Sequence, residues 1–172
     1  MPPSEMLLRI RHAEETDAQR IAEIYNHYVD VGGATFDRVH LTSEMVGKRI
    51  KQKVPDGWYV ADTGQSLVGW ASARRYSDRA GYRFSCETAI YLAPDARGLR
   101  IGARLQQRID QHCLDCNLHH AVARIIADNQ ASLSFHYRHG YEMVGIQKEI
   151  GRMHDRWVDV AILQKLFRSS DT

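Results

Sequence analysis

A carboxylate inside a predicted strand is the first candidate for acid–base chemistry. Glu87 lies in residues 84–92, where side chains alternate between two faces as they do along a β-strand. Its neighbours are largely apolar, and a carboxylate is seldom placed among apolar side chains without a partner or a task. Burial raises the pKa of a carboxyl group, which suits a general base near neutral pH. A structural ion pair with a nearby arginine is the alternative of equal weight.

The turn that follows this strand has the composition of an anion site. Residues 95–102 read DARGLRIG and lead into a predicted helix. Glycines let a ligand approach the backbone, and the free N–H groups of a first helical turn attract negative charge. The turn has neither the Walker GK[ST] ending nor GxGxxG spacing. It therefore predicts phosphate binding, with an ordinary strand-to-helix turn as the equal alternative.

Positive charge is concentrated around this turn. Residues 74–108 contain eight arginines and three acidic residues, a net charge of +5. Because the planar guanidinium can bind phosphate or carboxylate through two hydrogen bonds, this segment favours a small anionic ligand. A solvated charged surface is the other interpretation.

Cysteine and histidine raise the question of a metal site. Cys113 and Cys116 lie close to several histidines, but no second cysteine pair completes four zinc ligands. Cys113 also falls on the apolar stripe of a predicted helix, where cysteine acts as a small hydrophobic residue. We therefore predict no metal, and three cysteines are too few for a disulfide framework.

The overall composition is that of an ordinary globular domain. The 172 residues are 44% hydrophobic and 26% charged, which predicts one domain spanning residues 1–172 with a flexible start at 1–6. The formal net charge of +2 argues against a nucleic-acid partner. Since no long apolar run or signal peptide is visible, we expect no membrane partner and a cytoplasmic location.

Periodicity predicts a mixed α/β domain. Helices are expected from Thr16, which with Gln19 fits a capping box, to a stop at Gly32, and around residues 45–50, 101–113 and 130–139. Strands are expected over residues 7–12, 58–62, 66–73, 84–92, 121–127, 141–150 and 157–166. Helices interspersed with strands favour one sheet covered by helices.

Taken together, these segments resemble the GCN5-related N-acetyltransferase (GNAT) superfamily. The resemblance rests on YLAPDARGLRIGARL, directly after the strand that contains Glu87, and on DNQASLSFHYRHGYEMVG. Further blocks resemble the phosphinothricin and methionine sulfone acetyltransferase branch, which acylates free amino acids or their analogues. These blocks are IAEIYNHYV (21–29), ATF (34–36), YRFSCETAIYL (82–92), NQASLSFH (129–136) and GRMHDRWVDV (151–160).

The resemblance implies a GNAT fold, a mixed central sheet flanked by helices, in which strands 84–92 and 121–127 splay to hold acetyl-CoA. It implies Glu87 as the base, acting directly or through water. The coenzyme would contact the turn, the end of the strand and the start of the following helix, through Tyr91, Leu92, Arg97, Gly98, Leu99, Arg100, Ile101, Gly102, Asn129 and Ser132.

One residue departs from the family pattern. Arg100 stands where the signature that starts at Arg97 has a glycine. Its side chain would either crowd the pyrophosphate or add a charge-assisted contact to a phosphate. We expect coenzyme binding to be retained, because Gly98 and Gly102 remain.

The proton donor and the acceptor site are predicted from the same resemblance. His136 stands where many relatives carry a tyrosine acid, and Tyr137 is its neighbour, so either is a candidate to protonate the leaving thiolate. Packing against the sheet is the alternative for His136. Arginine forks suit an acceptor carboxylate, and the candidates are Arg75 and Arg83. The pocket wall is predicted to be Phe36 and Trp157, with core packing as the alternative.

The resulting prediction is an acetyl-CoA-dependent N-acetyltransferase. Its small-molecule acceptor would be the α-amine of an amino acid or a toxic analogue of the phosphinothricin or methionine sulfone and sulfoximine type. Acetylation of a peptide or protein, or acyl-CoA sensing without turnover, are the alternatives. Because relatives are often dimers, a homodimer is left open.

Overall fold

Seven strands form one mixed sheet in the order β1-β2-β3-β4-β5-β7-β6. The computed structural model describes residues 7–96 and 100–168. The strands are β1 Arg9–His12, β2 Gly57–Asp62, β3 Leu67–Arg75, β4 Ser85–Leu92, β5 His120–Ile126, β6 Glu142–Met153 and β7 Arg156–Leu166. The helices are α1 Ala18–Val31, α2 Ser43–Ile50, α3 Ile101–Asp115 and α4 Gln130–Arg138. The predicted flexible start and the turn residues Arg97, Gly98 and Leu99 lie outside the described residues.

The helices bury the faces that their periodicity predicted. The α3 stripe of Ile101, Leu105, Ile109 and Cys113 is at most 3% exposed. The first helix ends at Gly32, whose φ of 76° is readily adopted by glycine. Within the described ranges no helix is long and apolar enough to span a membrane.

The two faces of β4 pack against different helices. Cys86 lies 3.8 Å from Cys113 of α3 between sulfur atoms, whereas the Tyr91 ring lies 5.0 Å from that of Tyr25 in α1. Since alternate residues of a strand point to opposite faces, α1 and α3 cover opposite sides of the sheet. The fold is therefore the mixed α/β arrangement that was predicted.

Pairing between β4 and β5 stops after three residues. Ser85–Glu87 pair in parallel with residues 120–122, but β4 continues to Leu92 and β5 to Ile126 without further pairing. Both strands are held on their outer edges, β4 by β3 and β5 by β7. The two strands diverge beyond Glu87, so the predicted splay is confirmed.

The start of α1 differs from the prediction. Thr16 and Gln19 do not form the capping box; instead Glu14 and Asp17 form it around a short 3-10 turn. The buried Asp17 carboxylate accepts hydrogen bonds from both terminal nitrogens of Arg11, at 2.7 and 3.0 Å, and from the Glu14 amide at 2.8 Å. Arg11 of β1 therefore binds the carboxylate that also closes the capping box.

We predict that Asp17→Asn destabilises the protein in a pH-dependent way. Burial opposes ionisation, but the hydrogen bonds from Arg11 and Glu14 outweigh it and hold the pKa of Asp17 below its ordinary value. The stabilisation is thus present above about pH 4 and lost as the pH falls through the depressed pKa. At pH 7 the variant should lose about 1.5–3 kcal/mol of unfolding free energy in urea titrations.

The control is Asp78→Asn, because the side chain of Asp78 is fully exposed. It should leave unfolding unchanged at pH 7. A loss for Asp17→Asn that is as large at pH 3 as at pH 7 would contradict the assignment.

Candidate active site

A cavity of about 950 Å³ occupies the gap between the diverging strands. On the α3 side it is lined by Ile90, Gly102 and His136, and on the α1 side by Phe36 and Glu87. Side chains from both faces of the sheet therefore meet in one space. The cavity passes through the sheet at the place where its strands separate.

Glu87 lies at the last paired position before the strands diverge. Its carboxylate forms an ion pair with Arg124 of β5, and both side chains line the cavity, 29% and 41% exposed respectively. Arg74 of β3 is the cross-strand neighbour of Glu87 and also lines the cavity. The apolar surroundings predicted for Glu87 are therefore wrong, because a guanidinium contacts it and a second lies on the neighbouring strand.

The sequence contained a signal for Arg124 that the prediction did not use. Arg124 is the one exposed residue in β5, whose other side chains are mainly buried and apolar. The guanidinium of an arginine in such a strand needs an anion or water as its partner. Only the register of β4 and β5 identifies that anion as Glu87.

Hydrogen bonds from α1 hold residues 35–37 against the α1 side of the cavity. Tyr25 hydrogen bonds to Thr35 at 2.6 Å and donates to Asp37 at 2.5 Å. Burial, together with the bond to Asp37, raises the pKa of Tyr25 to about 12, so its hydroxyl remains a donor. Phe36 lies between these partners and lines the cavity, as predicted for a pocket wall.

Phe36 also restricts which residue can occupy position 151 on the opposite wall of the cavity. A Cβ atom placed on Gly151 of β6 would lie 2.5 Å from Cε1 of Phe36, closer than carbon atoms can approach. Here β6 is irregular: its pairing shifts between Gln147 and Gly151. Glycine at this position lets Phe36 pack directly on the strand backbone.

On the α3 side, the turn reaches the helix through a strained residue. Arg100 has φ 58° and ψ 12°, the left-handed conformation. Glycine adopts this conformation freely, whereas other residues do so at a cost of roughly 1–2 kcal/mol. Arg100 is exposed and does not line the cavity, so its side chain does not fill the space next to Gly102.

The edge of β4 presents backbone amides to the cleft. The Ala93 amide donates to Val68 and the Tyr76 amide to Ser85, so odd-numbered residues of β4 bond to β3. Because amides alternate along a strand, the amide of Leu92 points towards the side from which β5 has separated. Leu92 rather than Tyr91 therefore offers the cleft-facing N–H group.

Asn129 caps α4 as predicted. Its Oδ1 accepts the Ser132 amide at 3.1 Å, and its Nδ2 donates to the Gly33 carbonyl at 3.3 Å. Asn129 and Ser132 both line the cavity. The cap thus ties the first turn of α4 to the loop after α1 and places both residues at the cleft.

His136 reaches the cavity but is poorly suited to donate a proton. Burial lowers its pKa, so the neutral imidazole predominates near pH 7. Its Nδ1 lies 2.7 Å from the carbonyl oxygen of Ser132, a contact that requires the single proton on Nδ1. Nε2 is then without a proton, and Tyr137 is exposed and outside the cavity lining. The geometry favours neither predicted acid.

Three predicted substrate-binding residues lie outside the cavity lining. Arg75 follows Arg74 on β3, so it points to the other face, and it pairs with Asp78 at 3.4 Å. The guanidinium of Arg83 stacks on Phe84. Trp157 is 59% exposed. Of the arginines on β3, it is Arg74 that reaches the site.

The cysteines contribute to the core. Cys86 and Cys113 are fully buried, and the ring nitrogens of His112 contact the Tyr59 hydroxyl and the Pro55 carbonyl. The part of the chain that the structure describes contains no group of three or more potential metal ligands.

Comparison with known proteins agrees with this geometry. Residues 10–162 match the acetyltransferase (GNAT) domain family. Phosphinothricin N-acetyltransferase of Streptomyces coelicolor is 34% identical over 164 residues, which cover 92% of this chain and 96% of the relative. Its counterpart from Alcaligenes faecalis is 30% identical, covering 95% of this chain and 84% of the relative.

A solved structure supports the same grouping. The GNAT superfamily phosphinothricin acetyltransferase from Sinorhizobium meliloti, in complex with AcCoA, superposes with a TM-score of 0.89 at 30% identity. The match covers 97% of this chain and 92% of that one. With its split sheet, its through-going cavity and these relatives, the chain belongs to the GNAT acetyltransferase family and is an N-acetyltransferase.

Proposed function

We propose that the protein transfers the acetyl group of acetyl-CoA to the α-amine of a free amino acid or an analogue. Phosphinothricin and methionine sulfone or sulfoximine are the analogues that we favour. The proposal is carried by one observation: a cavity crosses the sheet at the split, with the carboxyl group of Glu87 on one side and the start of α3 on the other. The names of the relatives support the acceptor class.

Glu87 is the proposed general base. An amine attacks a thioester only when it is neutral, whereas an amino acid near pH 7 carries an ammonium group. The Glu87 side chain lines the cavity and contacts the guanidinium of Arg124. General-base catalysis contributes about 10²–10⁴ in rate.

The α3 side fits acetyl-CoA. Gly102 lines the cavity, and the ring of Phe135 packs so closely on it that a Cβ atom there would lie 3.2 Å from that ring. Gly102, Asn129 and Ser132 would hold the coenzyme, together with the turn residues Arg97, Gly98 and Leu99. The Leu92 amide would stabilise the charge that develops on the thioester oxygen.

The α1 side fits an amino acid. Arg74 lines the cavity beside Glu87, and among the described residues no hydrogen bond or ion pair engages its side chain. It is the proposed ligand of the α-carboxylate, which places the amine at Glu87. Phe36 would contact the side chain of the acceptor.

A thiol-release assay with acetyl-CoA tests the function. The panel holds free amino acids, phosphinothricin, methionine sulfone and a short peptide with a free N-terminus. Release with free amino acids or their analogues is expected. Release with the peptide alone would shift the assignment to peptide acetylation, and coenzyme binding without any release would indicate a sensing module.

Glu87→Gln should lower kcat at least tenfold, because the amide cannot take the proton. Acetyl-CoA affinity, measured by calorimetry, should be nearly unchanged, since Glu87 lies on the opposite side of the sheet. Glu23→Gln is the matched control, because the side chain of Glu23 lies on the exposed face of α1, and it should behave as wild type. An unchanged kcat in Glu87→Gln would show that Glu87 is not the general base.

Two glycine variants test the two sides of the cavity separately. Gly151→Ala should displace Phe36 and raise the KM of the acceptor, by up to about 10²-fold for a displacement of about 1 Å. Gly102→Val should raise the KM of acetyl-CoA instead, because it crowds Phe135 and Leu92. If both variants changed the same KM, the two substrates would not occupy opposite sides.

A further inference from the structure

Apolar residues of β5, β6 and β7, together with Phe36, line one wall of the cavity. They are Phe36, Ile126, Ile150 and Val160. Phe36 and Ile126 belong to a small hydrophobic cluster that is separate from the main core. Ile126 and Val160 are at most 6% exposed, whereas Ile150 is 55% exposed. Because covering an exposed apolar side chain is favourable, Ile150 gains a partner when a ligand occupies the cavity.

A bulge in β6 brings Ile150 to this wall. The pairing of β6 with β7 shifts between Gln147 and Gly151. Residues 148–150 therefore stand opposite a single residue of β7, Asp159. Gln147 and Ile150 are three positions apart and would point to opposite faces of a regular strand. Both line the cavity, because the extra residues of the bulge lie between them.

Asp159 holds the bulge from the face of β7 that is turned away from the cavity. Val158 and Val160 on either side are buried, and Val160 lines the cavity, whereas Asp159 does not. The Asp159 carboxylate accepts a hydrogen bond from the Glu149 amide at 2.7 Å and one from the Lys148 ammonium at 2.9 Å. Glu149 has φ 51°, a left-handed conformation that residues with a side chain seldom adopt. The bond to its amide stabilises this conformation and fixes the path of the bulge.

We propose that this bulge is a built part of the acceptor site, in which Ile150 contacts the side chain of the bound acceptor. Asp159 is a positioning residue that holds Ile150 in place without touching the substrate. The inference rests on the proposed function, which puts the acceptor on the side of Phe36. Since the contact is remote from the reacting atoms, its loss raises the KM of the acceptor and leaves kcat unchanged.

Variants of Ile150 and Asp159 test the contact and its support. Thiol release is measured with methionine sulfone first, and otherwise with the free amino acid or analogue that wild type uses best. Ile150→Ala should raise the acceptor KM roughly tenfold, as expected when about two methylene groups lose their cover. Asp159→Ala should raise it by no more than this factor, because the Glu149 amide loses its acceptor. Asp159→Asn should keep most of the wild-type KM, since its side-chain oxygen can still accept that bond.

The double variant Ile150→Ala/Asp159→Ala separates positioning from a general loss of structure. If Asp159 acts only through Ile150, the double variant has the acceptor KM of Ile150→Ala alone. In every variant kcat and the KM of acetyl-CoA should stay at the wild-type value. Glu142→Gln is the matched control, because Glu142 is an exposed acid of the same strand outside the cavity lining.

Calorimetric binding of acetyl-CoA reports whether each variant is folded. If Asp159→Ala is not folded, Asp159→Ser takes its place, since the shorter side chain does not reach the Glu149 amide as the carboxylate does.

The outcomes distinguish this inference from the proposed function. An unchanged acceptor KM in Ile150→Ala overturns the contact. A wild-type KM in Asp159→Ala, or single-variant factors that multiply in the double variant, overturns the positioning role. Both results leave the proposed function intact. Failure of every free amino acid and analogue in wild type overturns the proposed function, and this inference with it.

Discussion

The structure depends on the place where two parallel strands stop pairing. β4 and β5 share a ladder over three residues and then separate, although each remains fixed to its outer neighbour. Backbone groups on the inner edges lose their ladder partners at that point, and buried polar groups require replacements. Side chains supply some of them, since the hydroxyl of Tyr28 donates to the carbonyl of Leu92 and that of Thr88 to the carbonyl of Val122. A ligand with carbonyl and amide groups can supply them. The site is thus a consequence of interrupted sheet pairing rather than of a pocket added to a finished sheet.

Elements whose signal is local were well predicted from the sequence. The apolar stripe of α3, the Asn129 cap of α4 and the glycine that ends α1 each depend on residues within a few positions of one another. The cap of α1 was missed although Glu14 and Asp17 are only three residues apart, because the predicted helix was started at Thr16. The separation of β4 and β5 was predicted from the family resemblance, because the periodicity of a sequence carries no information about it.

Site residues were likewise predicted where the signal is local and missed where it depends on contacts between strands. Glu87 and Phe36 line the cavity and each belongs to a recognisable block, whereas the predicted Arg75 and Arg83 lie outside its lining and Arg74 and Arg124 within it. To choose Arg74 over Arg75, one must know which residues of β3 point to which face of the sheet, since neighbouring residues point to opposite faces. Finding Arg124 requires the register of two strands that are more than thirty residues apart in the chain. Neither quantity can be read from composition or from spacing along one segment.

The passage through the sheet also constrains how material moves. Under the proposed function, the coenzyme and the amine would enter from opposite sides of the sheet, so neither product would have to leave before the other substrate binds. The acetyl group would then pass directly from the thioester sulfur to the amine nitrogen, without a covalent intermediate on a protein side chain. The two products would leave by the separate openings through which the substrates entered.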